Sequence, residues 1–169
     1  VDFIELARSR YSVRAYQPRA VEDEKLERVL EAARLAPTAA NNQPIHLIVV
    51  HTSGREDELR RIYDRDWFVA APIIICCCGV IAEAYVGKAG RNMAEVDTTI
   101  VMDHLILAAT SLGMGTCWIG AFDPQAAREI LGLPQGVEPM IFTPLGYPAD
   151  SPKPKERKAL DEIVRYEAW

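Results

Sequence analysis

The chain is poor in the residues that build metal and nucleophile sites. Its 169 residues include three histidines, His46, His51 and His104, with no metal-ligand spacing among them. Its four cysteines, Cys76, Cys77, Cys78 and Cys117, form no C-x-x-C, so zinc and dithiol redox motifs lack support. Successive side chains on a strand point to opposite faces. The three adjacent cysteines therefore cannot converge on one metal or readily pair, and they are expected as small hydrophobes of a buried strand. No G-x-S-x-G occurs. Gly113-Met114-Gly115 has Trp118 where a dinucleotide loop needs its third glycine, and it runs from helix to strand, the reverse of the Rossmann order. Gly87-Lys88 is followed by Ala89, with Ala82 at the earlier glycine position, which excludes a P-loop.

Basic charge is also scarce. Lys and Arg number 19 against 24 Asp and Glu, a net charge of −5, so nucleic acid is a poor partner. Neither long apolar run reads as a membrane span, which needs ~20 residues: the first is too short, and the second is long enough but interrupted. Residues 68–82 carry Pro72 and Gly79, and residues 105–122 are cut by Gly113, Gly115 and Gly120. Val1-Asp2-Phe3 lacks the basic start and apolar stretch of a secretory leader. With free thiols suited to a reducing compartment, a cytoplasmic protein without membrane contact is expected.

What is present suits one globular domain over residues 1–169, with 49% hydrophobic and 25% charged residues. Asp2 followed by Glu5 predicts a capped helix ending near Ser9. Residues 10–16 read as a loop or short strand. Leu26, Val29, Leu30 and Ala33 mark an amphipathic helix over 22–35, ended by Pro37. Strands are expected at 45–51, 73–78, 116–119 and 140–147, and helices at 56–63, 95–112 and from Asp123-Pro124 to Gly132. Beyond Thr99 the 95–112 helix is apolar on most sides, so a buried central helix is expected, with His104 as a hydrogen-bonded core residue. Asp97 and Asp103 share that helix, and the sequence does not locate their partners. Residues 149–158, rich in Pro and Lys, should run extended over a surface. This order suggests a sheet covered by helices on both faces.

Four stretches can carry chemistry. Arg10-Tyr11-Ser12-Val13-Arg14 holds two guanidinium forks suited to phosphate or an electron-rich ring edge, although surface charge explains it as well. Thr38 to Pro44 offers the amides of Asn41, Asn42 and Gln43, able to read a uracil-like edge, or simply to make turns. Residues 115–122 are apolar and glycine-flanked, letting a flat ring approach the backbone, or forming a plain strand. Lys155-Glu156-Arg157-Lys158 alone reads as solvated charge.

Together these stretches resemble the FMN-dependent nitroreductase family. The match lies in R-x-S-x-R at 10–14, A-P-T-x-x-N-x-Q-P at 36–44, G-x-G-T-C-W-I-G-A-F at 113–122, L-G-Y-P-A at 145–149 and K-x-R-K at 155–158. The resemblance implies an α+β three-layer fold with a mixed, mainly antiparallel sheet. It implies a homodimer with an exchanged C-terminal extension and two FMN sites at its interface, each built from both subunits. By this resemblance Arg10, Ser12, Lys155 and Arg157 hold the phosphate, with the backbone of Tyr11 beside them. Arg14 lies near the pyrimidine end of the ring. Asn41, in its loop with Gln43, reads that edge. Trp118, Ile119 and Gly120 lie along the ring, with a backbone N–H directed at N5.

The implied activity is reduction of FMN by NADH or NADPH, then of a second small acceptor such as a nitroaromatic or quinone in the same site. Hydride chemistry belongs to the flavin, so the lack of a triad or metal cluster is expected. The alternative is an FMN-binding storage or sensor protein without turnover; a cofactor-free interaction module is the third reading. Two departures stand out: Tyr11 and Ile45 occupy positions where the family often has Arg and Trp. The stretch over 63–92 is brief, implying an open or differently lidded pocket.

Overall fold

A computed structural model describes residues 2–169. The Asp2 carboxylate accepts from the N–H groups of Ile4 and Glu5 at 2.9 and 3.2 Å, opening α1, Phe3–Ser9. The chain continues through α2 (Asp23–Arg34), β1 (Ile45–His51), α3 (Glu56–Arg60), α4 (Asp66–Ala70), β2 (Ile73–Val80), α5 (Ala94–Ser111), β3 (Gly115–Thr116), α6 (Pro124–Leu131), β4 (Val137–Gly146) and α7 (Leu160–Ile163). The sheet order is β1-β2-β4-β3, with every neighbouring pair antiparallel. One parallel bridge, Ser12 to Thr116, fastens the 10–16 segment to β3.

Alternation along β2 builds two cores. Ile73, Ile75 and Cys77 face Val29 and Ala33 of α2 and Val101, Met102 and Leu105 of α5. Ile74, Cys76 and Cys78 face Leu59 of α3, Phe68 of α4 and Ala127 of α6. Each fully buried Leu, Ile or Phe contributes about 1.5–3 kcal/mol, so both faces need their helices, and the three-layer α+β expectation holds. The cysteines are free and buried as expected. Cys76 and Cys78 share a face and bring their sulfurs within 3.5 Å, and burial pushes the Cys77 thiol up to about 12.

Three expectations change. α4 and α7, five and four residues long, are too short for a helical period to show. The ladder of β3 stops at Thr116 rather than running to Ile119. His104 is exposed, not in the core; its Nδ1 lies 3.1 Å from the Ile100 carbonyl. A 3.6-residue turn places Asp103 and His104 opposite Met102, Leu105, Ile106 and Ala109, and two polar residues are too narrow a stripe to stand out in an apolar helix.

β4 is tied to α2 by a polar cluster. The buried Tyr147 hydroxyl bonds Glu22 and Lys25, each at 2.5 Å, while Arg19 stacks 3.8 Å from the Tyr147 ring centroid. The Tyr147 hydrogen bond, with those from the Glu22 backbone and Arg19, holds the Glu22 carboxyl down to about 2 from an ordinary 4.5. Because the folded value lies below the unfolded one, this contribution is complete above about pH 4.5 and is lost as pH falls toward 2. Glu22→Gln should therefore lower the melting temperature at neutral pH, and the two melting curves should converge as pH drops through that window. A gap independent of pH would refute the coupling.

Candidate active site

The positions of the site residues follow from where β3 loses its partner. The register that pairs Gly115 with Gly146 and Thr116 with Leu145 would next pair Cys117 with Pro144, then Ile119 with Phe142. Pro144 has no N–H to donate. The Cys117 N–H instead donates to the Thr143 hydroxyl at 3.1 Å. Pairing resumes at Ile119, whose N–H and carbonyl both bond Phe142 at 2.9 Å. Trp118 is thereby turned out, 39% exposed, and Ile119 turned in. A Cβ on Gly120 would meet nothing within 4 Å, so the backbone here faces open space.

Val13 donates its N–H to Thr116 at 2.9 Å, which lays the 10–14 segment beside that strand. On its far side runs the tail. The two enclose a cleft of about 340 Å³ lined by Arg10, Tyr11, Ser12, Arg14, Asp150, Lys153, Lys155 and Arg157. Among the described residues no carboxylate lies within 4 Å of any of these five cations. Most other arginines are paired, as in Arg19–Glu22, Arg34–Glu31 and Arg61–Glu129. The backbone N–H groups of Tyr11 and Ser12 also find no acceptor among the described residues. Lys155 reaches the carbonyls of Arg8 and Arg10. Burial first, then Arg10 and Arg157, lower its pKa. Burial raises the Cys117 thiol, against the pull of Arg14, Ser12 and Arg10. Arg14 leans on Trp67 of α4, 5.8 Å from guanidinium carbon to ring centroid.

Asn41 and Gln43 do not line this cleft. They lie in a 3-10 turn, Ala39–Asn41, and the residues after it. Ala40, Asn41 and Gln43 all have φ between 53° and 57°, a left-handed conformation costing non-glycine residues about 1–3 kcal/mol each. Three clamps hold the loop. The buried Asp97 carboxylate accepts from the Ala39 N–H at 2.8 Å, the Thr38 hydroxyl accepts from the Gln43 N–H at 3.0 Å, and the Asn42 amide donates to the Glu83 carbonyl at 3.0 Å. The Gln43 amide N–H is committed to the Asn41 carbonyl at 3.2 Å, while the Asn41 side chain has no partner among the described residues.

Sequence reading missed Lys153, Asp150, Trp67 and Asp97. Asp150 and Lys153 stand beside motifs already noticed. Trp67 had a signal, an acid followed by an apolar run ended by Pro72. Asp97 shows its role only through contact with a loop 58 residues away.

The Nitroreductase family model matches residues 7–68 and 63–147. A Methanothermobacter thermautotrophicus protein, provisionally named NADH dehydrogenase/NAD(P)H nitroreductase, is 31% identical over all of this chain and 88% of its own. The Bacillus subtilis FMN reductase [NAD(P)H] is 28% identical over 94% of this chain and 70% of its own. The crystal structure of a nitroreductase family protein from Clostridium difficile 630 superposes over 100% of both chains with a TM-score of 0.90 and 38% identity. With the fold, the ordered motifs and these matches in agreement, the chain belongs to the nitroreductase family.

Proposed function

We propose that this protein is an NAD(P)H-dependent flavin oxidoreductase that binds FMN in the 340 Å³ cleft and along residues 118–120. The observation that carries this reading is the gathering of five cations without carboxylate partners, in a chain of net charge −5. Such a cluster suits a phosphate dianion, and charge-assisted bonds to it are the strong ones. The names of the relatives, FMN reductase [NAD(P)H] and NADPH-flavin oxidoreductase, support the same reading.

FMN when bound supplies the hydride chemistry; the chain supplies place and charge. Arg10, Ser12, Lys155 and Arg157, with the free N–H groups of Tyr11 and Ser12, hold the phosphate. Arg14, steadied by Trp67, places a cation where negative charge gathers on the reduced ring. Because the Ile119 N–H is taken by Phe142, the N–H offered to the ring edge is that of Gly120. Open space at Gly120 leaves room for a flat ring.

The site is completed by a second copy of the chain. Asn41 and Gln43 lie outside the cleft, so the partner's 38–43 loop is the one that reads the ring edge. α1 buries none of its residues, and Phe3, Ile4, Leu160, Ile163, Tyr166 and Trp169 are all more than half exposed. These apolar surfaces suit an exchanged tail in a homodimer. The second acceptor is a small electrophile, a nitroaromatic or quinone.

The visible spectrum tests this directly, recorded with FMN and then anaerobically with NADH or NADPH. A bound flavin that bleaches supports the reading. One that stays oxidised points to storage or sensing, and no bound flavin overturns it.

A further inference from the structure

Asp150 is a carboxylate inside a cleft built for an anion, and its bonding is unusual. It ion-pairs with none of the five cations around it. Its Oδ2 accepts from the Arg14 backbone N–H at 2.8 Å, and its Oδ1 from the Tyr11 hydroxyl at 3.2 Å. That hydroxyl also donates to the Asp150 carbonyl at 2.9 Å. Burial, then the Asp150 charge and hydrogen bond, raise the Tyr11 pKa, so the phenol remains a donor.

Its place in the fold explains the choice of partners. A short seam joins the 15–17 segment to the start of the tail. Gln17 N–H donates to the Tyr147 carbonyl at 2.9 Å, Ala149 N–H to the Ala15 carbonyl at 2.8 Å, and the Gln17 amide to the Pro148 carbonyl at 2.8 Å. Past Ala149 the two strands of chain diverge to make the cleft, and main-chain pairing stops. The Asp150 side chain spans the gap there, joining residues 136 and 139 positions away in sequence.

We infer that Asp150 is a positioning residue that sets the opening of the cleft and the place of Arg14, at a cost in anion affinity from its own charge. The inference rests on the FMN reading above. Its signature is an opposite response to two substitutions. In Asp150→Asn the amide oxygen can keep the Arg14 bond. The amide N–H can donate to the Tyr11 oxygen, which still donates to the main-chain carbonyl. Geometry survives and one negative charge goes. In Asp150→Ala the span itself is lost.

The test is the dissociation constant of FMN and of riboflavin for parent and both variants, by quenching of flavin fluorescence at fixed ionic strength, with reduced FMN measured anaerobically. Asp150→Asn should bind FMN about two- to fivefold tighter than the parent, with riboflavin unchanged because it carries no phosphate. Asp150→Ala should bind FMN about tenfold more weakly. Its preference for reduced over oxidised FMN should fall by a further fewfold as Arg14 loses its anchor. If both variants match the parent, or both weaken FMN alike, the inference falls. A parent that binds no flavin overturns the functional reading instead. Should Asp150→Ala not fold, tightening by Asp150→Asn for FMN alone decides the question.

Discussion

Replacing Arg157 with alanine is expected to weaken FMN binding by about 1.5–3 kcal/mol, the worth of a hydrogen bond to a charged group, or about 10- to 150-fold in the dissociation constant. Its guanidinium lies on the cleft wall with no carboxylate partner, donating only to the neighbouring Glu156 carbonyl at 2.8 Å. The companion variant Arg14→Ala should behave differently. Arg14 rests against Trp67 and is the cation proposed for the ring end, so its loss should lower the rate of FMN reduction by NAD(P)H about tenfold or more while changing FMN affinity much less. Fluorescence titration and anaerobic stopped-flow reduction separate the two. Equal effects of both variants on binding and on rate would refute this division of roles. The binding loss in Arg157→Ala should also shrink as salt is raised, since added ions weaken the attraction between exposed charges.

Gly115→Ala is expected to damage stability and flavin binding together. A Cβ at this position would stand 2.5 Å from Val13 Cγ2, 2.9 Å from Val13 Cβ and 3.0 Å from Pro148 Cγ. Val13 is 1% exposed and held by its own N–H bond to Thr116, so it cannot move aside without dragging the Arg10–Arg14 segment with it. Overpacking of this kind costs about 1–3 kcal/mol, which for a chain of this length lowers the melting temperature by about 2–12 °C. Because the displaced segment carries Arg10, Ser12 and Arg14, FMN affinity should fall as well. A contrasting control is Gly120→Ala, where a Cβ meets open space within the protomer. That variant should melt like the parent while losing FMN, because the added methyl fills the room proposed for the ring. Normal flavin binding by Gly120→Ala would move the ring away from residues 118–120.

Much of this was legible in the sequence, for identifiable reasons. The α2 stripe of Leu26, Val29, Leu30 and Ala33, the Asp123-Pro124 start of α6 and its stop at Gly132 are local signals. A single turn of chain contains the donor, acceptor or left-handed residue that each requires, and Gly132 does take φ 63°. The strand over 73–78, which the structure carries on to Val80, announced itself through an unbroken apolar run. Six of the eleven residues expected at the flavin site, Arg10, Tyr11, Ser12, Arg14, Lys155 and Arg157, line one cleft. Their spacing within each motif was local information, read through family resemblance.

The remainder depended on contacts between distant parts of the chain. No local pattern says that Pro144 will face Cys117 across a ladder, yet that encounter frees Trp118 and leaves Gly120 open. Asp97 looks like any acid in the first turn of a helix until it is seen clamping the strained 39–43 loop. From sequence His104 reads as buried because composition along α5 is apolar, whereas burial is set by which side of the helix meets the sheet. Asp150 reads from sequence as one more charge in a polar tail. Only the return of that tail to the Arg10–Arg14 segment turns it into the span across the cleft. The sequence by itself determined the longer helices, the strands β1, β2 and β4, the two-faced core and the types of side chain available to bind an anion. The tertiary structure decided which of those side chains share a cleft, because hydrogen-bond partners and unneutralised charges are properties of distances between segments, which no local spacing encodes.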